Sequence, residues 1–302
     1  MAPTRIEPGQ LAGFLPRDAN IYVQGCSAES LVWADAVERL GEAAGAMTAT
    51  GVFVPGLNRR AWRPNDASTT RTFFMTPELA NGPVEFLPFC YADILAYLRR
   101  AAFSAAIFQV APPDADGVCS FGSTVDFLPL LWRSVPVRIA HINPAMPRTR
   151  GFAGIPFNAL TAYVEAEARL LGQAREVADA QSEAIAAHVA AYIGDGATLQ
   201  TGLGKTPAAV LHALRDRKRL RVHSGLVGDG VLDLLEAGAL AEDAPILGGV
   251  AIGTERLYAA ISSRAFEFQP VTVTHGLGAL AAIGNFVAIN SALEVDLFGQ
   301  AY

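Results

Sequence analysis

The chain has 302 residues, 51% hydrophobic and 17% charged, which is ample for two domains with substantial cores. A formal net charge of −6 gives a polyanion nothing to hold, which argues against a nucleic-acid partner. Three scattered cysteines (Cys26, Cys90, Cys119), an N-terminus without an apolar signal core and no apolar run of membrane-spanning length fit a cytoplasmic protein with no disulfide framework and no membrane segment.

From Asp18, DANIYVQGCSAESLVWADAVERL reads as an aspartate, a short β-rich run, a glycine (Gly25), a small polar loop and a helix. TATGVFVPG from Thr48 reads as a strand ending in Thr-Gly. A helix-like stretch at 92–103 precedes SAAIFQVA (104–111), a buried-strand pattern. The turn-rich PPDADG (112–117), a helix-like piece at 127–133 and a second buried strand, PVRIAHI (136–142), follow. The alanine-rich run at 176–193 has the apolar spacing of a helix. From Asp195, DGATLQTGLGKTPAAVLHALRDR repeats the Asp18 plan without a gap, with Gly202 in the place of Gly25. RVHSGLVGDG from Arg221 then echoes TATGVFVPG. The pattern predicts an α/β protein of two tandem related domains, 1–175 and 176–302, each a mainly parallel sheet flanked by helices.

The loop LQTGLGKTP (199–207) ends like a nucleotide-binding P-loop, but Leu199 stands where that motif needs its first glycine. Thr206 is expected as an N-cap, with Pro207 at the first helical position. The order G-L-G-K-T-P also lacks the third glycine of a dinucleotide loop, and LRVHS offers no acidic residue at the end of the next strand. Two readings of Gly202 and Gly204 stay open: a backbone surface that a ligand can approach, or a tight strand-to-helix turn. His223 and Asp229 lack a serine in a G-x-S-x-G turn, and His141 with Cys119 lacks metal-ligand spacing, so no metal site is expected. PVTVTHGLG (270–278) reads as a β-branched strand ending in the turn Thr274-His275-Gly276. INSALEVDLFGQ (289–300) reads as a strand with Glu294 mid-run between Leu293 and Val295; on pattern alone the better reading is an edge strand whose second face is wet.

INSALEVDLFGQ also resembles the signature of the acetyl-CoA hydrolase/transferase family, a class I CoA-transferase family that includes enzymes acting on 4-hydroxybutyrate. APPDADGVCSFGSTVDF (111–127), INPAMPRTRG (142–151), DGATLQTGLGKTPAAVLHAL (195–214), HSGLVGDGVLDLLEAG (223–238) and GTERLY (253–258) resemble further family segments, in the family's order. The resemblance implies that Glu294 is the nucleophile of a CoA transfer between an acyl-CoA and a small carboxylic acid. Coenzyme A is then a substrate and no cofactor is permanently bound. It implies CoA or acyl contact at Val273, Thr274 and His275, and Gly202 and Gly204 would let the backbone lie against CoA or against the glutamate strand. Thioester hydrolysis, or a non-catalytic CoA-binding or assembly subunit, are the other functions it allows. Family members continue past the glutamate motif, so the second domain is expected to be truncated, with a second chain or a missing C-terminal segment completing the site. A homo-oligomer is expected. The chemistry requires the Glu294 carboxylate to be ionised and dry where a thioester can reach it.

Overall fold

The computed structural model describes residues 2–292 and 294–301; Leu293, one neighbour of the candidate glutamate, lies outside the described residues. The first ten strands are β1 (Thr4–Arg5), β2 (Asn20–Val23), β3 (Thr48–Gly51), β4 (Thr69–Thr72), β5 (Val84–Phe86), β6 (Ala105–Val110), β7 (Val118–Cys119), β8 (Val137–Ile142), β9 (Ile155–Pro156) and β10 (Ala162–Glu165). β7 and β9 form a small antiparallel pair. The other eight make one sheet in the order β1-β10-β8-β6-β2-β3-β4-β5, parallel throughout.

Both faces of this sheet are covered, and the strand sequences show it. β6 is buried at every position, so its run AAIFQV has no need to alternate. In β2, Ile21 and Val23 join Trp33 and Val37 of α1 (Leu31–Glu38) on one face. Tyr22 points the other way, into a core with Ile94 and Leu98 of α2 (Tyr91–Arg100). The helix-like piece at 127–133 is only a 3₁₀ turn, Leu128–Leu130. It lies between Asp126, whose φ is +30°, and Pro136, too short a span to propagate an α-helix.

Residues 166–179 carry no helix or strand. After them come α3 (Ala180–Ala190), β11 (Thr198–Thr201), α4 (Lys205–Ala213), β12 (Arg221–Val222), β13 (Leu226–Val227), α5 (Asp229–Glu236), β14 (Ile246–Gly248), β15 (Val250–Ala251), α6 (Glu255–Ala260), β16 (Phe266–Phe268), α7 (Val271–Thr274), α8 (Leu277–Ala281) and β17 (Phe286–Ile289). β11 lies between β12 and β17, parallel to both. β13 pairs with β15 and β14 with β16, again parallel, and a bridge from His223 to Leu247 joins β12 to β14. The apolar side chains of this second group share the core that lies on the α2 face of the large sheet.

The echo between the two halves has a structural counterpart. β2 pairs with β3 as β11 pairs with β12, each after a strand–loop–helix passage. Asp18 Oδ1 accepts the Ala46 N–H at 2.6 Å, and Asp195 Oδ1 accepts the Lys218 N–H at 2.8 Å. In both, an aspartate entering one strand ties down the approach to the next.

Candidate active site

The expected helix start at Thr206-Pro207 is displaced. Gly204, at φ +113°, caps α4, which begins at Lys205 and puts Pro207 at its third position. Proline is tolerated there because a first-turn N–H has no partner within the helix in any case. Thr201, Gly202, Leu203 and Gly204 thus leave the C-terminal end of β11 as a short loop. Beside it, Gly228 leads from β13 into α5. The two helix starts and the strap 173–178 enclose a cavity of about 340 Å³, which Gly202 and Gly204 both line. Cavities at the carboxyl ends of parallel strands are ordinary ligand sites, since helix N–H groups open into them.

Two of the acidic side chains at this cavity, Asp229 and Asp233, are already engaged. Asp229 accepts the Thr254 hydroxyl at 2.6 Å and its N–H at 2.9 Å, so it anchors the start of α6 and makes no pair with His223. Asp233 holds Arg175, on the strap, and Arg256, on α6. The glycine loop and the two helix starts add backbone groups to the side chains of Glu176, Glu183 and His212, which also line the cavity.

After Ile289, which ends β17, no strand runs through the described residues up to 300. β17 stops at Ile289 because its partner stops: the last register pair is Thr201↔Ile289, and Gly202 N–H closes the ladder on the Ile289 carbonyl at 3.0 Å. Beyond it, Asn290 Nδ2 donates to Gln200 Oε1 at 3.2 Å, and a Cβ on Gly202 would lie 2.9 Å from Asn290 Oδ1. The glycine loop is thus a strand-to-helix turn in contact with the start of the glutamate segment. Glu294 itself is exposed and is not among the cavity's lining residues. This corrects the expectation of a dry carboxylate: no described element packs over the turn that follows, where Leu297 and Phe298 are 104% and 98% exposed. That turn is held by Asp296, whose Oδ1 accepts the N–H groups of Phe298 and Gln300.

Residues 270–278 also depart from expectation, forming α7 and α8 in place of a strand. The N–H groups of Thr274 and His275 bond back to the carbonyls of Pro270 and Val271, and Val271 and Thr274 are buried. Packing here overrides the β preference of VTVT. The Val273 carbonyl accepts His223 Nε2–H at 3.0 Å; the Thr274 hydroxyl and His275 Nδ1 are 2.9 Å apart. The His275 ring stacks on Tyr91 of α2, centroids 3.9 Å apart and 9° from parallel. Burial, helped by nearby His223, pushes its imidazole down to about 4, so it is neutral. The structure thus gathers Gly202, Gly204 and the segment leading to Glu294, and places Val273, Thr274 and His275 elsewhere, at a seam with the first sheet. Sequence reasoning missed Arg175, Asp233 and the seam residues Tyr91 and Asp126, which sit in separate segments and meet only through the fold. Among the described residues no cluster of His, Cys, Asp or Glu is placed to hold a metal, and no helix is long and apolar enough to cross a membrane.

Comparison with known proteins fits this geometry. The acetyl-CoA hydrolase/transferase C-terminal domain matches residues 253–302. The chain is similar to 4-hydroxybutyrate coenzyme A transferase of Clostridium kluyveri, 33% identical over 230 residues, covering 73% of this chain and 53% of that protein. It is similar to succinyl-CoA:acetate/propanoyl-CoA:succinate CoA transferase of Fasciola hepatica, 30% identical, covering 74% of this chain and 48% of that protein. The chain spans about half the length of these curated relatives. Among solved structures, RipA from Yersinia pestis superposes with a TM-score of 0.87 at 20% identity, over 99% of this chain and 75% of that one. A 4-hydroxybutyrate CoA-transferase from Porphyromonas gingivalis does so at 0.82 and 23%, with the same coverage. The mainly parallel α/β architecture is therefore the CoA-transferase fold.

Proposed function

The chain belongs to the acetyl-CoA hydrolase/transferase family, and on that premise we propose that it carries the glutamate-bearing part of a CoA-transferase site. In this reading a Glu294 carboxylate oxygen attacks the thioester carbonyl of an acyl-CoA. The tetrahedral oxyanion collapses, expels CoA thiolate and leaves an acyl-glutamyl anhydride. The thiolate attacks the glutamyl carbonyl, releasing the first acid and leaving a glutamyl-CoA thioester. A second carboxylate reverses these steps, takes the CoA and restores Glu294. No general base is required, since the nucleophile is ionised at neutral pH. Both oxyanions require fixed donors, and Leu203 and Gly204 with the start of α4 offer backbone N–H groups.

The observation that carries the reading is the closure of the β11–β17 ladder by Gly202 on Ile289, which starts the glutamate segment against the glycine loop. Small acyl-CoA and carboxylate substrates follow from the names of the relatives, all transferases; hydrolysis is not carried forward. A water-exposed carboxylate is a weak nucleophile, so the reading includes a cover over Glu294, supplied by bound CoA together with polypeptide seated on Leu297 and Phe298. A second chain or a further segment meets that need.

A second reading is favoured by the exposure of Glu294 outside the cavity: a non-catalytic CoA-binding or assembly subunit. One experiment separates the two. The protein is incubated with butyryl-CoA, then treated with hydroxylamine or borohydride, and its peptides are weighed. The enzyme reading expects a modified peptide at Glu294 that vanishes in Glu294→Gln. Unmodified wild-type protein that still binds butyryl-CoA leaves only the second reading.

A further inference from the structure

The seam between the large sheet and the second group of strands is built around one short segment. Ala251 N–H bonds the Ser123 carbonyl at 2.7 Å, Val125 N–H the Gly249 carbonyl at 2.9 Å, and Val271 N–H the Asp126 carbonyl at 3.0 Å. Phe127 stacks on one side of the seam with Tyr91, centroids 5.7 Å apart, and Tyr91 stacks with His275. Asp126 sits at the centre of this joint, 5% exposed and with its backbone in the left-handed region at φ +30°. Its residue lines a cavity of about 10 Å³ with Tyr22, Gln24, Cys26 and Thr124, a space on the scale of one water molecule.

The carboxyl of Asp126 has no stabilising partner among the described residues; burial alone sets its proton affinity. The titratable groups that feel it are Tyr22 from β2, Cys26 from the loop after β2 and Tyr91 from the start of α2, all acids that burial keeps neutral. Glu29 lies behind Cys26; just after α7, His275 is neutral against Tyr91, with His223 beyond it on the Val273 carbonyl. No arginine or lysine is among these groups.

We propose that Asp126 makes the seam proton-linked: with its proton the acid sits neutral in a dry joint, and on losing that proton to solvent it places an unpaired charge there, relieved only when water enters between 123–127 and the facing 249–251 and α7. Burial pushes the carboxyl up to about 7, so the change falls at neutral pH. An unpaired buried charge is costly enough to favour local opening over uniform strain. Because α7 leads through α8 into β17, opening the seam loosens the segment that carries Glu294. The inference stands on the seam itself and holds whichever reading of Glu294 is correct.

Hydrogen–deuterium exchange on the full chain tests it. From about pH 5 to about pH 7, peptides spanning 121–127, 247–252 and 269–275 should exchange faster in wild type than in Asp126→Asn by a ratio that grows about tenfold per pH unit, and the ratio should level off above about pH 7, where the open and closed forms have both lost the proton. Asp126→Asn, a neutral isostere, should remove that extra slope and keep the protection. Equal slopes in the two proteins, or the same slope in the buried strand 105–110, would overturn the proposal. If the variant does not fold, infrared spectra of wild-type protein carrying carbon-13 at aspartate side chains decide the matter. A carboxylic-acid stretch that disappears between slightly acid and slightly alkaline buffer supports it, and a fully ionised spectrum throughout rules it out.

Discussion

Asp126 and His275 titrate in opposite senses within one seam, and this fixes the pH dependence of stability there. An unfolded aspartate loses its proton near 4 and folded Asp126 at about 7, so between those limits the folded chain holds the extra proton. Stability from this group therefore falls as pH rises from about 4 to about 7. Unfolded histidine titrates near 6.5 and folded His275 at about 4, so between those limits the unfolded chain holds the extra proton. Stability from this group falls as pH drops from about 6.5 to about 4. The two slopes oppose each other over most of the same window. Asp126→Asn removes one of them. The variant's urea midpoint should rise steadily from about pH 4.5 to about pH 6.5, where that of the wild type is nearly flat. At pH 8 the variant should be the more stable, by on the order of 4 kcal/mol at most. A variant less stable than wild type at pH 8 would show that Asp126 has a partner in the joint.

At the scale of elements, the two loop glycines should fail differently. An alanine Cβ at Gly204 would meet nothing closer than 4.0 Å, so the penalty of Gly204→Ala is its φ of +113°, about 1–2 kcal/mol read as a lower thermal midpoint. At Gly202 the backbone is unremarkable and the new methyl would press on Asn290. Gly202→Ala should therefore cost less stability, yet displace the start of the glutamate segment and cut the yield of trapped Glu294 several-fold. Equal losses of stability and trapping in both variants would deny that division. The same elements show what a sequence can reveal. β6 and β8 were legible because strands covered on both faces need continuous apolar runs, a local signal. The turn at the glycine loop was legible because two close glycines mark a backbone bend locally, whereas the residue that caps α4 was not. The end of the strand after Ile289 was not, since the reason is where β11 stops, far away in sequence. VTVT was misread as a strand because its helix is imposed by burial at a seam with α2. Glu294 was singled out by resemblance to a family and not by its pattern, and its exposure depends on what packs over it.

At the scale of the whole molecule, the strap 166–179 is the covalent link between the large sheet and the second group of strands. It is held by separate contacts: Asn143 Nδ2 to the Ala168 carbonyl at 2.7 Å, Tyr258 hydroxyl to the Leu171 carbonyl at 2.5 Å, and Gln173 N–H to the Gly253 carbonyl at 3.1 Å. Arg175 pairs with Asp233, which Arg256 shares, and Asp179 at the end of the strap pairs with Lys205 at 3.6 Å. Asp233 is nearly buried while both arginines are about half exposed, so solvent screens the attraction and its loss should cost only about 1 kcal/mol overall. The local effect is larger, because among the described residues Arg175 makes no other side-chain ion pair or hydrogen bond. Asp233→Ala should therefore leave the thermal midpoint within a few degrees of wild type while freeing 173–178. Trypsin should then cut first after Arg175, dividing the chain at the boundary we propose between its two units, 1–175 and 176–302. Mass spectrometry of a time course checks this: one early cut in the variant, absent from wild type, is the expected result. Scattered cuts across both sheets would mean instead that Asp233 holds up the core of the second unit, and that the strap is no independent hinge.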